Sequence, residues 1–207
     1  MGLAKGGHLT YLESLHNHKL FFQLFPLLPP AASEGHIHIL EWLNDNNYWL
    51  ENKVNTQAMA VACRLAAKNG HKDVILWFHY HTHIDTATAF LGAAEGGQLP
   101  LLEWLFLNTD VIFVRYTKAE MSKAAAKGNQ LHILKWLESK GLVLDCKSAY
   151  GAAEGGHLEL LHYLEQSGIK YNDQDIFESA LRGGHIKILK YLIETGHKCN
   201  IYMEKTL

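Results

Sequence analysis

The stretch that decides the fold is Ala152-Ala153-Glu154-Gly155-Gly156-His157-Leu158-Glu159-Leu160-Leu161-His162-Tyr163-Leu164. Six weaker copies align with it without a gap, and we take the residue before the His or Gln as the anchor of each copy. The anchors are Gly7, Gly35, Gly70, Gly97, Asn129, Gly156 and Gly184, spaced by 28, 35, 27, 32, 27 and 28 residues. Self-similarity at a period of about 20 to 50 residues is typical of repeat proteins. The sequence therefore predicts a repeat array.

Each copy predicts two helices. Five and eight residues after every anchor stand apolar residues, Leu161 and Leu164 in the best copy, and this i, i+3 spacing places them on one helical face. We call this predicted helix B. A second helix, A, precedes the anchor and is marked by alanine pairs at 31–32, 66–67, 93–94, 125–126 and 152–153. Alanine favours helix, and its small side chain lets helices approach closely.

The segment between A and B predicts a tight turn. Its Gly-Gly pair is expected to supply positive φ angles, which glycine adopts at no steric cost. The following His is replaced by Gln98 and Gln130 in two copies, so we expect a hydrogen-bonding role that braces the turn rather than catalysis or metal binding. Thr117 to Glu120 has the form of a capping box, and Asn172 is expected to cap the next helix A.

The helix, the glycine turn and the segment Gly156-His157-Leu158-Glu159-Leu160-Leu161 together resemble ankyrin repeats over nearly the whole chain. The Thr-Pro-Leu-His opening frequent in that family is absent, and four of the six spacings are 27 or 28 instead of about 33. The chain resembles the short-period ankyrin repeats of amoebae and of the giant DNA viruses that infect them. The resemblance implies an all-α, ankyrin-like α-solenoid of about seven helix-turn-helix repeats with incomplete terminal repeats.

We expect a single array over residues 1–207. Residues 1–30 form an irregular N-terminal repeat, 31–195 the regular repeats and 196–207 an incomplete C-terminal repeat. Pro26, Pro29 and Pro30 fall where the second helix A should run, so that helix is expected to be shortened or broken. The apolar residues 20–28 number only nine, too few to span a membrane, and are expected to cover the open end of the core.

Composition favours an intracellular, cytoplasmic protein, which for a viral protein means the host cytoplasm. The net charge is -2 and no Lys/Arg cluster exceeds a pair, so we expect no nucleic-acid partner. Three widely spaced cysteines indicate neither a disulfide framework nor a zinc knuckle and favour a reducing compartment. The array begins at once with residues 3–8, so we expect no signal peptide.

Two residue sets have alternative chemical interpretations. His79, His81 and His83 would share one side of an extended segment and make a candidate zinc or copper site, although no other repeat adds a ligand and a solvated connector is the preferred interpretation. The aromatic residues seven after the anchors could stack bases or sugars, but their register beside the core leucines favours packing between repeats. They are Trp42, Trp77, Trp104, Trp136, Tyr163 and Tyr191. We find no catalytic signature and predict no cofactor.

The residues that vary from copy to copy lie two and six positions before the anchors. They are four residues apart, so they share one face of helix A. By resemblance, the A helices line the concave binding surface of ankyrin arrays. The candidate partner-binding residues are Arg64, Lys68, Glu95, Lys123, Lys127, Tyr150, Glu154, Glu178 and Arg182, with Tyr48 and Trp49 in the longer connector 44–56. A second longer connector spans 107–117.

We predict a non-catalytic scaffold or adaptor that binds another protein through the A-helix face and these connectors. The alternative is a structural or assembly subunit that self-associates through its terminal repeats. A metal-dependent enzyme, the third hypothesis, rests on the three histidines alone.

Overall fold

A computed structural model describes residues 2–18, 27–46, 55–82, 86–108 and 115–198 of the protein. All regular structure in these ranges is helical, in fourteen α-helices, which confirms the predicted all-α class. The chain divides into two compact units, Met1–Ile112 and Phe113–Leu207. The predicted incomplete repeat 196–207 lies almost entirely outside the described residues.

The first unit contains four helix pairs. Their bounds are α1 Gly2–Lys5, α2 Leu9–Asn17, α3 Leu28–Ser33, α4 Ile37–Asp45, α5 Asn55–Lys68, α6 Lys72–His81, α7 Thr86–Gly96 and α8 Leu99–Asn108. The odd-numbered helices are the A helices, and each packs on the next: α1 on α3, α3 on α5 and α5 on α7.

The second unit contains three more pairs. Their bounds are α9 Arg115–Lys127, α10 Leu131–Ser139, α11 Cys146–Gly155, α12 Leu158–Gln166, α13 Asp173–Gly183 and α14 Ile186–Glu194. Here α9 packs on α11 and α11 on α13. The seven predicted pairs are therefore present, and within each unit consecutive repeats stack as in an α-solenoid.

The core of each repeat is the set of positions that the sequence pattern predicts. The alanine pairs, such as Ala152 and Ala153, are fully buried, as are the B-helix leucines Leu161 and Leu164. Burial of a leucine side chain contributes on the order of 2 kcal/mol, so two per repeat hold a short helix that would be marginal alone.

The two glycines of the turn have different functions. The second, Gly156, has φ 83°, and Asn129 takes its place at φ 60° in another repeat. The first, Gly155, is the last residue of α11 and does not have a positive φ, so the expectation of positive φ for both glycines is wrong. A Cβ on Gly155 would lie far inside van der Waals contact with the Lys127 carbonyl oxygen of the preceding repeat. The first glycine therefore permits close helix packing.

Two of the three predictions about where helices begin are confirmed. Asn172 caps α13 by accepting a hydrogen bond from the Asp175 amide at 3.2 Å. The helix α3 is only six residues long and has prolines in its first turn, as expected for a shortened helix. The capping box is wrong, because α9 already begins at Arg115 and Thr117 lies inside it. Along the described ranges, no helix has the length and apolarity needed to cross a membrane.

Candidate functional site

We call the candidate partner-binding residues on the A helices, from Arg64 to Arg182, the A-helix stripe. In the first unit this stripe is an ion-pair cluster between two successive repeats. Arg64 and Lys68, one turn apart on α5, both reach Glu95 on α7. The Arg64 guanidinium donates through Nη2 at 2.9 Å and Nε at 3.3 Å to Glu95 Oε2. Lys68 Nζ donates to Glu95 Oε1 at 2.8 Å. We call these three residues the Glu95 cluster.

The same arrangement occurs in the second unit. Lys123 and Lys127 on α9 lie 3.1 Å and 2.6 Å from the two carboxylate oxygens of Glu154 on α11. Arg182 on α13 approaches Glu154 from the other side at 3.5 Å. We call these four residues the Glu154 cluster. Each cluster therefore pairs one carboxylate with two cations of the preceding A helix, and Glu154 also meets a cation of the following A helix.

The carboxylates lie beneath the cations. Glu95 and Glu154 side chains are each 12% exposed, whereas Lys68 is 42% and Arg182 59% exposed. Burial is the largest influence on the pKa of Glu154 and raises it, but hydrogen bonds from Lys127 and Lys123 together with their charges outweigh burial and lower that pKa to about 2. The pKa of Glu95 is lowered by the same balance, with Lys68 and Arg64 as donors.

The outermost layer of the stripe is therefore cationic, although its residues carry both signs. The Glu95 cluster has two cations for one carboxylate, and the Glu154 cluster has three. A lysine ammonium has three donors and a guanidinium five, so donors remain available after the intramolecular bonds are made.

The remaining candidates lie at the margins of these clusters. The Tyr150 hydroxyl donates to Asp175 Oδ2 at 3.1 Å and accepts from the Asn172 amide at 3.1 Å. Burial, followed by smaller effects that include the Asp175 carboxylate, raises the pKa of Tyr150 to about 12. Glu178 accepts from Gln174 at 2.8 Å on its own helix. Tyr48 and Trp49 lie outside the described residues.

Two of the three histidines of the candidate metal site, His79 and His81, are helical and not in an extended segment. His79 and His81 lie in the last turn of α6, where residues two apart point about 200° apart around the axis. His81 stacks on Trp77, and its Nδ1 lies 2.9 Å from the Trp77 carbonyl oxygen. His83 is not described. No group of three potential metal ligands occurs within the described ranges.

The recurring His braces one repeat against the preceding one. His157 Nε2 lies 2.9 Å from the carbonyl oxygen of Lys127, two residues before the preceding anchor, so this nitrogen carries the proton. Gln98 makes the equivalent bond at 3.1 Å to the Lys68 carbonyl. The equivalent acceptor carbonyls belong to Lys5 for His36, Ser33 for His71 and Glu154 for His185. Gln130 instead donates to Gly128.

Four of the six aromatic residues predicted to pack between repeats contact a side chain of the preceding repeat: Trp42, Trp104, Tyr163 and Tyr191. Lys72 Nζ lies 4.7 Å from the centroid of the Trp104 ring in the following repeat, a cation–π contact. The ring centroids of His162 and Tyr191, again in successive repeats, are 4.4 Å apart. This contact chemistry explains why Trp and Tyr exchange at one register.

Residue-by-residue reasoning missed the pairing inside the stripe. Opposite charges stand 27 residues apart, one repeat length, in Lys68 and Glu95 and in Lys127 and Glu154. Glu120 and Lys147 show the same spacing and pair at 3.1 Å. A search for opposite charges one period apart would have found all three pairs.

A polar network in the last described repeat was also missed. Tyr191 donates to Glu165 Oε2 at 2.6 Å, and Tyr171 bonds the other oxygen of that carboxylate. His197 Nδ1 lies 2.8 Å from Asp173 Oδ1. Tyr171 and His197 lie outside the helices, where the repeat pattern assigns no function, so periodicity alone did not predict the network.

Comparison with known proteins supports the repeat assignment. Residues 149–193, which span most of α11 and the helices up to α14, match the family model of ankyrin repeats (many copies). No curated protein sequence matches the chain. This match, and the helix pairs that repeat in the same register through the described ranges, fit an ankyrin repeat protein.

Proposed function

We propose that this protein is a non-catalytic scaffold or adaptor that binds a protein partner through the A-helix stripe. Ankyrin repeats are generally protein–protein interaction modules and are typically not enzymes. The finer assignment to these residues rests on the geometry of the two clusters.

The observation that carries the proposal is the exposure order within the clusters. Glu95 and Glu154 are withdrawn beneath their cations, so a partner meets the ammonium and guanidinium groups first. The carboxylates fix the positions of those cations, which lowers the conformational entropy lost on binding. A set of positioned donors on a rigid helical frame is suited to recognition.

The longer connectors 44–56 and 107–117 complete the proposed surface. Insertions in a repeat array fall on loops of one face, where they add partner-specific contacts. Tyr48 and Trp49 belong to this part of the proposal, because tyrosine and tryptophan are frequent anchors of protein interfaces.

We also propose a cytoplasmic location. Cys63 and Cys146 are thiols rather than disulfides in the described part of the chain, which suits a reducing compartment.

The test is partner capture with matched charge changes. One variant carries Arg64→Gln, Lys127→Gln and Arg182→Gln on the A helices. The control carries Lys170→Gln, Lys187→Gln and Lys190→Gln, all exposed and away from the A helices, with the same change in net charge. We expect the stripe variant to lose proteins that the unaltered chain and the control both retain, with quantitative mass spectrometry as readout. Equal capture by both variants would remove the stripe from the binding surface.

A further inference from the structure

The A helices and the B helices of the first unit carry opposite net charge. The A helices, α1, α3, α5 and α7, hold three cations and one carboxylate, a net charge of +2 with histidine neutral. The B helices, α2, α4, α6 and α8, hold one lysine and five carboxylates, a net charge of -4. The field of this unit therefore attracts an anionic partner to the A helices and repels it from the B helices.

The A helices of the second unit mix both signs. On α13 the carboxylates Asp173, Asp175 and Glu178 stand against one cation, Arg182, and Glu178 is one turn before that arginine on the same helical face. In the first unit Glu95 is the only carboxylate within the A helices. The next acidic residue, Glu34, follows α3 and lies 3.8 Å from Lys5. The Glu95 cluster is therefore the better site for an anionic partner.

The two cations of the Glu95 cluster keep unused donors. Arg64 bonds Glu95 through Nε and Nη2, which leaves both N–H groups of Nη1 and one of Nη2. Lys68 bonds Glu95 through one of its three N–H groups. In the ranges that the structure describes, no second acceptor bonds either cation. Their side chains are 40% and 42% exposed, so the unused donors are open to a partner.

The positions of these cations are fixed from below. A Cβ added to Gly92 or Gly96 of α7 would collide with the carbonyl oxygens of Arg64 and Lys68, so the backbones of α5 and α7 touch at the cluster. Burial raises the pKa of Glu95, but hydrogen bonds from Lys68 and Arg64 and their charges lower it overall. The carboxylate therefore stays ionised at neutral pH and holds both cations, which reduces the entropy lost when they bind a partner.

An exposed apolar residue extends the same helical face. Val61 is three residues before Arg64 on α5, where side chains are neighbours, and is 45% exposed. Leu91, one turn before Glu95 on α7, is half-buried. A ligand that covers this face needs apolar groups beside anionic ones. A protein segment supplies both, whereas an inorganic anion supplies only charge.

We propose that the partner binds the first unit through an acidic segment in which aspartate or glutamate residues stand beside apolar ones. This inference rests on the proposed function, that the A-helix stripe binds a protein, and adds the chemistry of that partner. Carboxylates of the segment accept hydrogen bonds from Arg64 and Lys68, and an apolar side chain packs on Val61. Because the cations are partly exposed, the affinity falls as salt rises.

The test is selection of random peptides, displayed on phage, by the purified full chain. We expect the selected peptides to contain more Asp and Glu than the starting library, together with apolar residues. A variant with Arg64→Gln and Lys68→Gln should lose this enrichment. The control carries Lys187→Gln and Lys190→Gln, exposed on α14 and with the same change in net charge, and should keep it. Fluorescence anisotropy of the best peptide should show about tenfold weaker binding to the first variant than to the control.

Changing the peptide tests the same contact without altering the protein. The best peptide with every Asp and Glu replaced by Asn and Gln should bind the unaltered chain about tenfold more weakly. No enrichment of acidic peptides, or equal binding of an acidic peptide by the Arg64→Gln, Lys68→Gln variant and its control, would overturn the proposal. Selection of neutral or basic peptides that need Arg64 and Lys68 would also overturn it, but would leave the stripe as a protein-binding surface.

Discussion

The A helices and the B helices of one repeat contact the preceding repeat through different chemistry. Between A helices the backbones themselves touch: Gly151 lies against the Lys123 carbonyl, and charged side chains meet only at the rim, around Glu154. Between B helices the contact is made by side chains, such as Lys72 over Trp104. The A layer is thus a backbone contact and the B layer a side-chain contact.

This difference explains which positions vary. A backbone contact requires residues with small or no side chains, so where A-helix backbones touch, as at Gly92 and Gly151, only such a residue fits. A side-chain contact needs only a ring of suitable size, so Trp104 and Tyr163 are equivalent. The Glu95 and Glu154 clusters need neither a small side chain nor a ring of a given size, and at their positions the repeats differ most.

The largest expected effect is the loss of backbone contact in the A layer. Gly151→Ala places a Cβ against the Lys123 carbonyl and should destabilise the fold by about 3 kcal/mol, although alanine is the better helix former. The matched change Gly2→Ala, at the same register but in open space, should be neutral or slightly stabilising. Urea unfolding measures both, and equal effects at the two glycines would contradict the backbone-contact interpretation.

Loss of an ion pair in the Glu95 or Glu154 cluster should give the next largest effect on stability, and this effect should depend on pH. The pKa of Glu154 is about 2, below its unfolded value of 4.5. Its contribution is therefore complete above about pH 4.5 and is lost as pH falls towards 2. Glu154→Gln is expected to destabilise the protein by about 2 kcal/mol at neutral pH and much less near pH 2. Thermal unfolding across this range checks it, with the exposed Glu159→Gln as control.

The hydrogen bond by which the recurring histidine braces one repeat against the preceding one should contribute less to stability. His157→Ala removes the donor to the Lys127 carbonyl and should cost about 1 kcal/mol. His157→Gln should retain most of that stability, because Gln98 makes the same bond in another repeat. Chemical denaturation separates the two variants. If glutamine proved as damaging as alanine, the imidazole would have a role beyond hydrogen bonding.

The smallest expected effect belongs to the B layer. Lys72→Met keeps the aliphatic stem but removes the charge above Trp104, and should destabilise by about 0.5 kcal/mol. Lys170→Met, on the exposed connector after α12, serves as the reference for loss of a lysine charge. A loss as large as that of Gly151→Ala would show that the two layers are not held differently.

Sequence periodicity predicted the repeats, the buried faces and the helix ends formed by Asn172 and Gly156, because each depends on local residue spacing. It assigned one function to both glycines of the turn, since the contact of Gly155 lies in another repeat. It also treated Lys68 and Lys127 as open to partners, whereas each is already paired with a glutamate 27 residues away. Contacts between repeats were missed wherever only one side of the junction was considered.

The brace has a consequence for how such a chain can change in length. Its acceptor is a main-chain carbonyl, so the residue there need not be preserved; it is Lys5, Ser33 and Lys68 in the first unit and Lys127 and Glu154 in the second. A duplicated or deleted repeat would bring its own histidine or glutamine and meet a carbonyl whatever the neighbour's side chain. Recombination between repeats therefore preserves this bond, while the exposed charges around it are reshuffled.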